Sequence, residues 1–418
     1  MNDARILILA HGHPDFSLGG GEISAHEQWM ELRRRGVNAM LLARVDQSMS
    51  HTGAPFLARR PDGTELLFSV PPVNHFRHSQ PHFSTISESF YNLLDSFRPT
   101  AVHFHHYVHL GLELVRAIRN HRPDASIVMT LHEYLAICHA QGQMLKTNGF
   151  LCQKAAPLDC HRCFPDISAQ DFFMRESFIK SFFELVDAFV CPSAFLRDRY
   201  VTWGLPIEKT VILENGRPPI PLHSGLAEKD EGLENRFLVL GQLSRLKGTL
   251  VLLEALRLLP KDVRSKIAVE IHGSVQHADE NFKSTLFDAL RELQGSVRLC
   301  GAYLPEHVHG IIRRHGWVIV PSIWWENSPV VIQEAFAAGR PVICSNIGGM
   351  AEKVKDGLDG FHFQVNSPHD LATRIEACVG QRQLWETMSS NVQPPPSVET
   401  TVDSLLRIYS NRRVLVSK

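Results

Sequence analysis

WVIVPSIWWENSPVVIQEAFAAGRPVICSNIGGMAE, residues 317–352, is the stretch whose reading decides the fold. A β-rich apolar run, 317–320, passes through Pro321 and Ser322 into a short turn carrying Trp324, Trp325 and Glu326. A helix start follows. Ser328 suits an N-cap, Pro329 the first helical position and Gly339 the left-handed residue that closes a helix, which gives about ten helical residues. Val330, Val331, Ile332, Ala335, Phe336, Ala337 and Ala338 leave this helix no solvated face, so it is expected to be buried between a sheet and its neighbours.

Glu334 lies in the middle of that helix, where a carboxylate must find hydrogen-bond donors. Glu326 sits just before the helix N-terminus, whose free backbone amides make a ready anion site. One acid beside a phosphate site and another farther along the helix suit a nucleotide-sugar: diphosphate on the amides, sugar hydroxyls on Glu326, ribose hydroxyls on Glu334. A helix with one internally paired glutamate is the simpler alternative.

With Pro321 and Ser322 before it, Asn327, Ser328 and Pro329 inside it and GRPV after it, the Glu326–Glu334 pair resembles the donor-site signature of family 4 of the retaining glycosyltransferases, which have the GT-B fold. The resemblance spans most of the chain and is strongest over residues 237–363. It implies a retaining transferase that moves a sugar from a nucleotide-diphosphate sugar to a hydroxyl of a glycan or lipid-linked acceptor, in bacterial-type polysaccharide or glycoconjugate synthesis, with no catalytic metal. Asn327, Ser328, Val330, Val331 and Glu334 would bind the donor. A nucleotide-sugar epimerase of the same fold and a protein that only binds the nucleotide-sugar are the other classes open.

The 418 residues suffice for two α/β domains. Lys and Arg number 43 against 44 Asp and Glu, which gives no sign of a nucleic-acid partner. No run approaches the roughly twenty apolar residues that span a bilayer, and MNDARILILA reads as a first strand, so a cytoplasmic protein is expected.

Residues 6–10 form a strand, followed by a loop with Gly19, Gly20 and Gly21 and a helical pattern to Arg35. Glycines there let a backbone approach a phosphate, although a tight turn also explains them; the resemblance favours Gly20 and Gly21 as donor contacts. Strand patterns at 38–44, 66–70, 101–106, 126–132, 188–193 and 210–216, and again at 237–242, 268–273, 297–301, 317–322, 341–346 and 360–365, alternate with helical ones. That alternation predicts two doubly wound Rossmann-like domains, 1–216 on the acceptor side and 236–393 on the donor side, with the site in the cleft between them. Residues 217–235, rich in proline and charge, read as the linker. A final helix, in 394–418, is expected to cross back to the first domain, as the resemblance implies.

His132 closes the strand run SIVMTLH and matches the histidine that family 4 enzymes hold there to reach the donor sugar; His103, His105, His106 and His109 receive no role. In GQLSRLKG, residues 241–248, Lys247 is a cation near a helix N-terminus, suited to charge on a leaving diphosphate. The family pattern places an arginine where this chain has Gln242, and Arg245 would supply the missing cation. Glu326, His132 and Lys247 are thus the expected catalytic residues. Residues 172–189, rich in phenylalanine, read as an amphipathic helix facing the core, with peripheral membrane contact the sharper alternative and Arg175 and Lys180 as the cations of its polar face.

Four of the eight cysteines, Cys138, Cys152, Cys160 and Cys163, fall in a loop-like segment just after His132. The two-residue spacing of Cys160 and Cys163 suits one metal, so a structural zinc site is expected, with an iron–sulfur cluster or four free thiols as alternatives.

Overall fold

The protein is described by a computed structural model covering residues 4–17, 19–45, 55–218, 231–276 and 278–410. It divides into two units, residues 1–218 with 396–418, and residues 219–395. Most of the expected linker, 219–230, lies outside the described residues. Of its remainder, Leu233 is buried in the core of the second unit.

The first unit holds eight strands: β1 (Arg5–Ala10), β2 (Asn38–Val45), β3 (Phe56–Ala58), β4 (Glu65–Ser69), β5 (Ala101–Phe104), β6 (Ser126–Thr130), β7 (Ala188–Cys191) and β8 (Thr210–Ile212). Their order is β3-β4-β2-β1-β5-β6-β7-β8. All neighbours are parallel except β3, an antiparallel edge strand on β4. β3 gives no strand signal in the sequence, because its three residues FLA, half-buried to exposed, carry too short a pattern. Central strands such as β1, with Ile6 to Ala10 all buried, are continuous apolar runs, as helices on both faces demand.

The helix Val398–Ser410 packs on the helix Gly20–Arg34 of this unit. Val402, Leu405 and Tyr409 join its core, and the Tyr409 hydroxyl meets His103 Nδ1 at 2.7 Å. Arg35 ties the same helix down through Asp403.

The second unit holds six parallel strands, β9 (Arg236–Leu240), β10 (Ala268–His272), β11 (Val297–Gly301), β12 (Trp317–Val320), β13 (Val342–Ser345) and β14 (Gly360–Phe363), in the order β11-β10-β9-β12-β13-β14. The order reverses between β9 and β12, and at such a switch point the loops after the strands leave a crevice for a ligand. Trp317, fully buried and stacked on Phe361, is a packing residue.

Arg175 corrects one expectation. On the helix Ala169–Phe183 it is buried, not part of a solvated face, and donates to the carbonyls of Phe76 and Ala136 at 2.6 and 2.7 Å and to that of Leu135. A buried guanidinium needs this many acceptors. Phe173 and Met174 are the exposed apolar residues of that helix instead.

Candidate functional site

In the second unit the chemistry gathers where β9 and β12 end. Lys247 Nζ donates to Glu326 Oε1 at 2.6 Å, Ser322 Oγ to the same oxygen at 2.8 Å and Trp324 Nε1 at 3.1 Å. Oε2 takes none of these three bonds. The Glu326 carboxylate is buried, while Lys247 keeps 41 % of its side-chain surface open beside the Trp324 ring. An acid so held keeps one geometry, with a cation half in solvent next to it.

Two contacts fix the chain around this pair. Ile323 N donates to Leu246 O, joining the loop after β9 to the loop after β12. Gly349 N donates to Glu326 O at 2.8 Å, and a Cβ on Gly349 would stand 1.5 Å from Asn327 O. Only glycine lets the helix Gly348–Lys353 come so close.

The helix after Glu326 differs from the sequence reading. It spans Val330–Ala337, its N-cap is Pro329 with no side-chain cap, and Gly339 closes it at φ +68°. Ser328 is therefore not the cap. Its hydroxyl is buried and makes no hydrogen bond among the described residues, so the first-turn amides of Val330 and Val331 have no hydroxyl on them. Nor is the helix buried all round: Ile332, Gln333 and Ala335 face the core, whereas Val330, Val331 and Glu334 are only half-buried. Reading hydrophobicity alone missed an open face that a ligand can use.

Glu334 is near Tyr303, whose phenol is pushed up to about 12 by burial and then by the Glu334 charge. Among the described residues Arg245 pairs with Asp279 rather than Glu326. It is exposed and 3.9 Å from Asp279, the N-cap of the helix Glu280–Glu292.

In the first unit His132 lies two residues beyond β6, and its Nε2 is 3.3 Å from His105 Nδ1. His105 Nε2 meets Gln28 Oε1 at 2.9 Å. Burial, then the neighbouring His106 and His11, push His132 down to about 3, so its ring is neutral at pH 7. Gly21, directly after Gly20 at the start of the first helix, faces this cluster: a Cβ there would be 3.3 Å from His11 and 3.4 Å from His132.

Sequence reasoning missed Glu22 in this cluster. Its carboxylate accepts from Ser17 Oγ at 2.7 Å and lies 3.3 Å from His11 Nε2. Burial pushes it up, but His11 and Ser17 outweigh that and hold it down to about 2. Nothing in the spacing of His11, Glu22, His105 and His132 brings them together; parallel pairing of β1, β5 and β6 does. The central histidines that were given no role are thus buried members of a network.

Beyond His132 an open cavity of about 860 Å³ is lined by His75, His78, His109, His139 and Lys146, with no carboxylate among its described lining residues. His78, His109 and Gln141 line it with φ of 55°, 61° and 49°. Non-glycine residues in that region are strained, and strain collects at ligand sites.

Comparison with known proteins gives the family. The Glycosyltransferase Family 4 model matches residues 18–219 and the Glycosyl transferases group 1 model residues 227–393. The chain is a family-4-like glycosyltransferase of the GT-B fold. It is 24 % identical over 310 residues to the lipopolysaccharide 1,2-N-acetylglucosaminetransferase of Salmonella typhimurium, covering 68 % of this chain and 70 % of that one. It is 30 % identical over 186 residues to a D-inositol 3-phosphate glycosyltransferase of Geodermatophilus obscurus, of which it spans 40 % while 42 % of its own length is covered. In fold this glycosyltransferase is similar to Anabaena HepE, solved with UDP and glucose, at a TM-score of 0.66, 18 % identity and coverage of 98 % of this chain and 100 % of that one. The sugar it transfers comes from a nucleotide-sugar donor. No helix among the described residues is long and apolar enough to cross a membrane.

Proposed function

We propose that this glycosyltransferase works with retention of anomeric configuration, moving a hexose-type sugar from a nucleoside-diphosphate sugar to a hydroxyl of a glycan or lipid-linked acceptor in polysaccharide or glycoconjugate synthesis. The observation that carries the reading is the Lys247–Glu326 pair beside the uncapped amides of Val330 and Val331. Amides and Lys247 neutralise the leaving diphosphate, with Arg245 as an outer cation, and need no metal for that charge. Glu326, fixed through Oε1, holds sugar hydroxyls through Oε2 as positive charge develops at the anomeric carbon.

A neutral His132 adds no like charge to that centre and can hydrogen-bond a sugar hydroxyl. Glu334 holds the ribose, with Tyr303 beside it; Asn327 and Ser328 line the diphosphate; Gly20 and Gly21 leave room for the donor. The cavity of the first unit, with no carboxylate among its described lining residues, suits an acceptor that carries negative charge or many hydroxyls.

The test is a panel of nucleotide-sugars with crude glycan and lipid acceptors, read by nucleotide release and by the anomeric coupling of the product. Acceptor-dependent release with a retained anomer is expected. Release of a free epimerised sugar, or an inverted product, would overturn the reading.

A further inference from the structure

The segment after His132 has little regular structure: Arg175 holds its start through the carbonyls of Leu135 and Ala136, and Arg199 holds Gln153. From Leu131 to Ala156 it has turns and one isolated bridge, Leu145 to Leu151, and the helix Pro157–Cys163 that follows contains no buried residue. Gln141 and Met144 are nevertheless kept at φ of 49° and 47°. Cys138, Cys152, Cys160 and Cys163 come from three parts of this segment and line one cavity of about 30 Å³, walled by Ile137, Met144, Phe164 and Phe172. All four are half-buried and outside any disulfide, and Cys160 and Cys163 lie one turn apart on the helix.

We propose that these four cysteines hold one zinc ion as a tetrathiolate. A cavity of that volume has room for about one ion or water, soft sulfur donors select zinc over calcium or magnesium, and the apolar walls keep solvent off the sulfurs. Two other groupings have ligand atoms mutually within 4.8 Å, His13 with His26 and Glu65, and Glu270 with His272 and Cys300. Both already hold a cation: Arg60 on Glu65 at 2.8 Å and Arg298 on Glu270. The four thiols face no such competitor in their cavity lining except Lys146 and Lys154.

No three of the four sulfurs reach that 4.8 Å spacing here, whereas Zn–S bonds of about 2.3 Å place sulfurs about 3.8 Å apart. Binding therefore draws the helix Pro157–Cys163 onto the loop and releases the thiol protons to solvent. The consequence reaches the larger cavity, because His139, Ala140, Leu145, Lys146 and Phe164 line both. The metal is a brace for that wall, not a participant in transfer.

Elemental analysis of the full chain, purified reduced and without added metal or chelator, should find about one zinc per chain, and the Cys160→Ser, Cys163→Ser double variant under about a tenth. In wild type the four thiols should resist a thiol reagent until a strong chelator is added, and proteolysis within 138–163 should then speed up and be reversed by zinc. The thiol count keeps the test decisive if the double variant fails to fold. Zinc below about a tenth of an equivalent in active protein, full zinc in the double variant, iron with cluster absorption, or two disulfides by intact mass would each overturn the proposal.

Discussion

The loop after β12, which lies next to β9, and the loop after β6, which lies one strand further from β1, both follow central parallel strands, yet they are built on different principles. After β12, residues 321–328 are pinned by backbone: Gly349 donates to Glu326 O, and Leu246 O accepts from Ile323. After β6, His132 meets the ring of His105, just beyond β5, which Gln28 on the first helix holds in turn. Chemistry held by backbone tolerates little displacement. Chemistry held by a packed ring network can adjust by rotamer changes, at the cost of depending on many residues.

The largest expected effect tests the first half of that contrast. Glu326→Ala and Lys247→Ala should each lower kcat by roughly 10²- to 10³-fold, the cost of removing one preorganised charge at a reacting centre. Melting temperatures should stay near wild type, since Gly349 and Leu246 hold the loop by backbone. Two folded variants turning over at wild-type rates with a cognate donor and acceptor would show that the site lies elsewhere.

Next comes Glu334→Gln, which removes charge-assisted bonds to the ribose and should weaken nucleotide affinity by about 1.5 to 3 kcal/mol. Calorimetry of free nucleotide binding checks it; unchanged affinity in a folded variant would sink the ribose assignment.

A matched pair of glycine substitutions compares the loops directly. Gly349→Ala sets a methyl against the backbone of Asn327, so it should cost about 1 to 3 kcal/mol of stability and most of the activity. Gly21→Ala meets only the rings of His11 and His132 at 3.3 to 3.4 Å, so its stability cost should be about 1 kcal/mol or less, with KM raised more than kcat falls. Equal costs in urea melts would erase the distinction.

The same contrast explains what could be read from sequence. Strand and helix alternation was legible because buried parallel strands are apolar runs, and every expected strand is present, most of them ending one to four residues earlier than expected. Glu326, Ser322 and Trp324 fall within five residues, and Lys247 occupies a strand-to-helix turn, so local pattern sufficed. Glu22 and Arg175 were illegible. Each looks like an ordinary helix-surface charge until the tertiary fold buries it, and no local period records which face will be covered. The Ser328 cap failed for a related reason: its hydroxyl is buried by the loop rather than turned to the first amides.

The smallest expected effect on turnover concerns Glu133, next to His132. Its carboxyl accepts from Leu135 N and lies 3.2 Å from His106 Nε2. Burial pushes it up to about 8, outweighing the Leu135 hydrogen bond, so it is protonated at pH 7. With a folded pKa above the unfolded one, the native state binds the extra proton, so the contribution to stability is present below about 4.5 and is lost as pH rises through about 8. The side chain keeps 23 % of its surface open, and solvent screening reduces the loss to the order of 1 kcal/mol. Glu133→Gln cannot titrate. Its offset from wild type at any one pH carries the altered bonds to Leu135 and His106, whereas the pH slope carries only the proton. Melting curves between about pH 5 and 8 should therefore show wild type losing stability relative to the variant as pH rises. Parallel curves would mean that Glu133 is already ionised in the fold across that range.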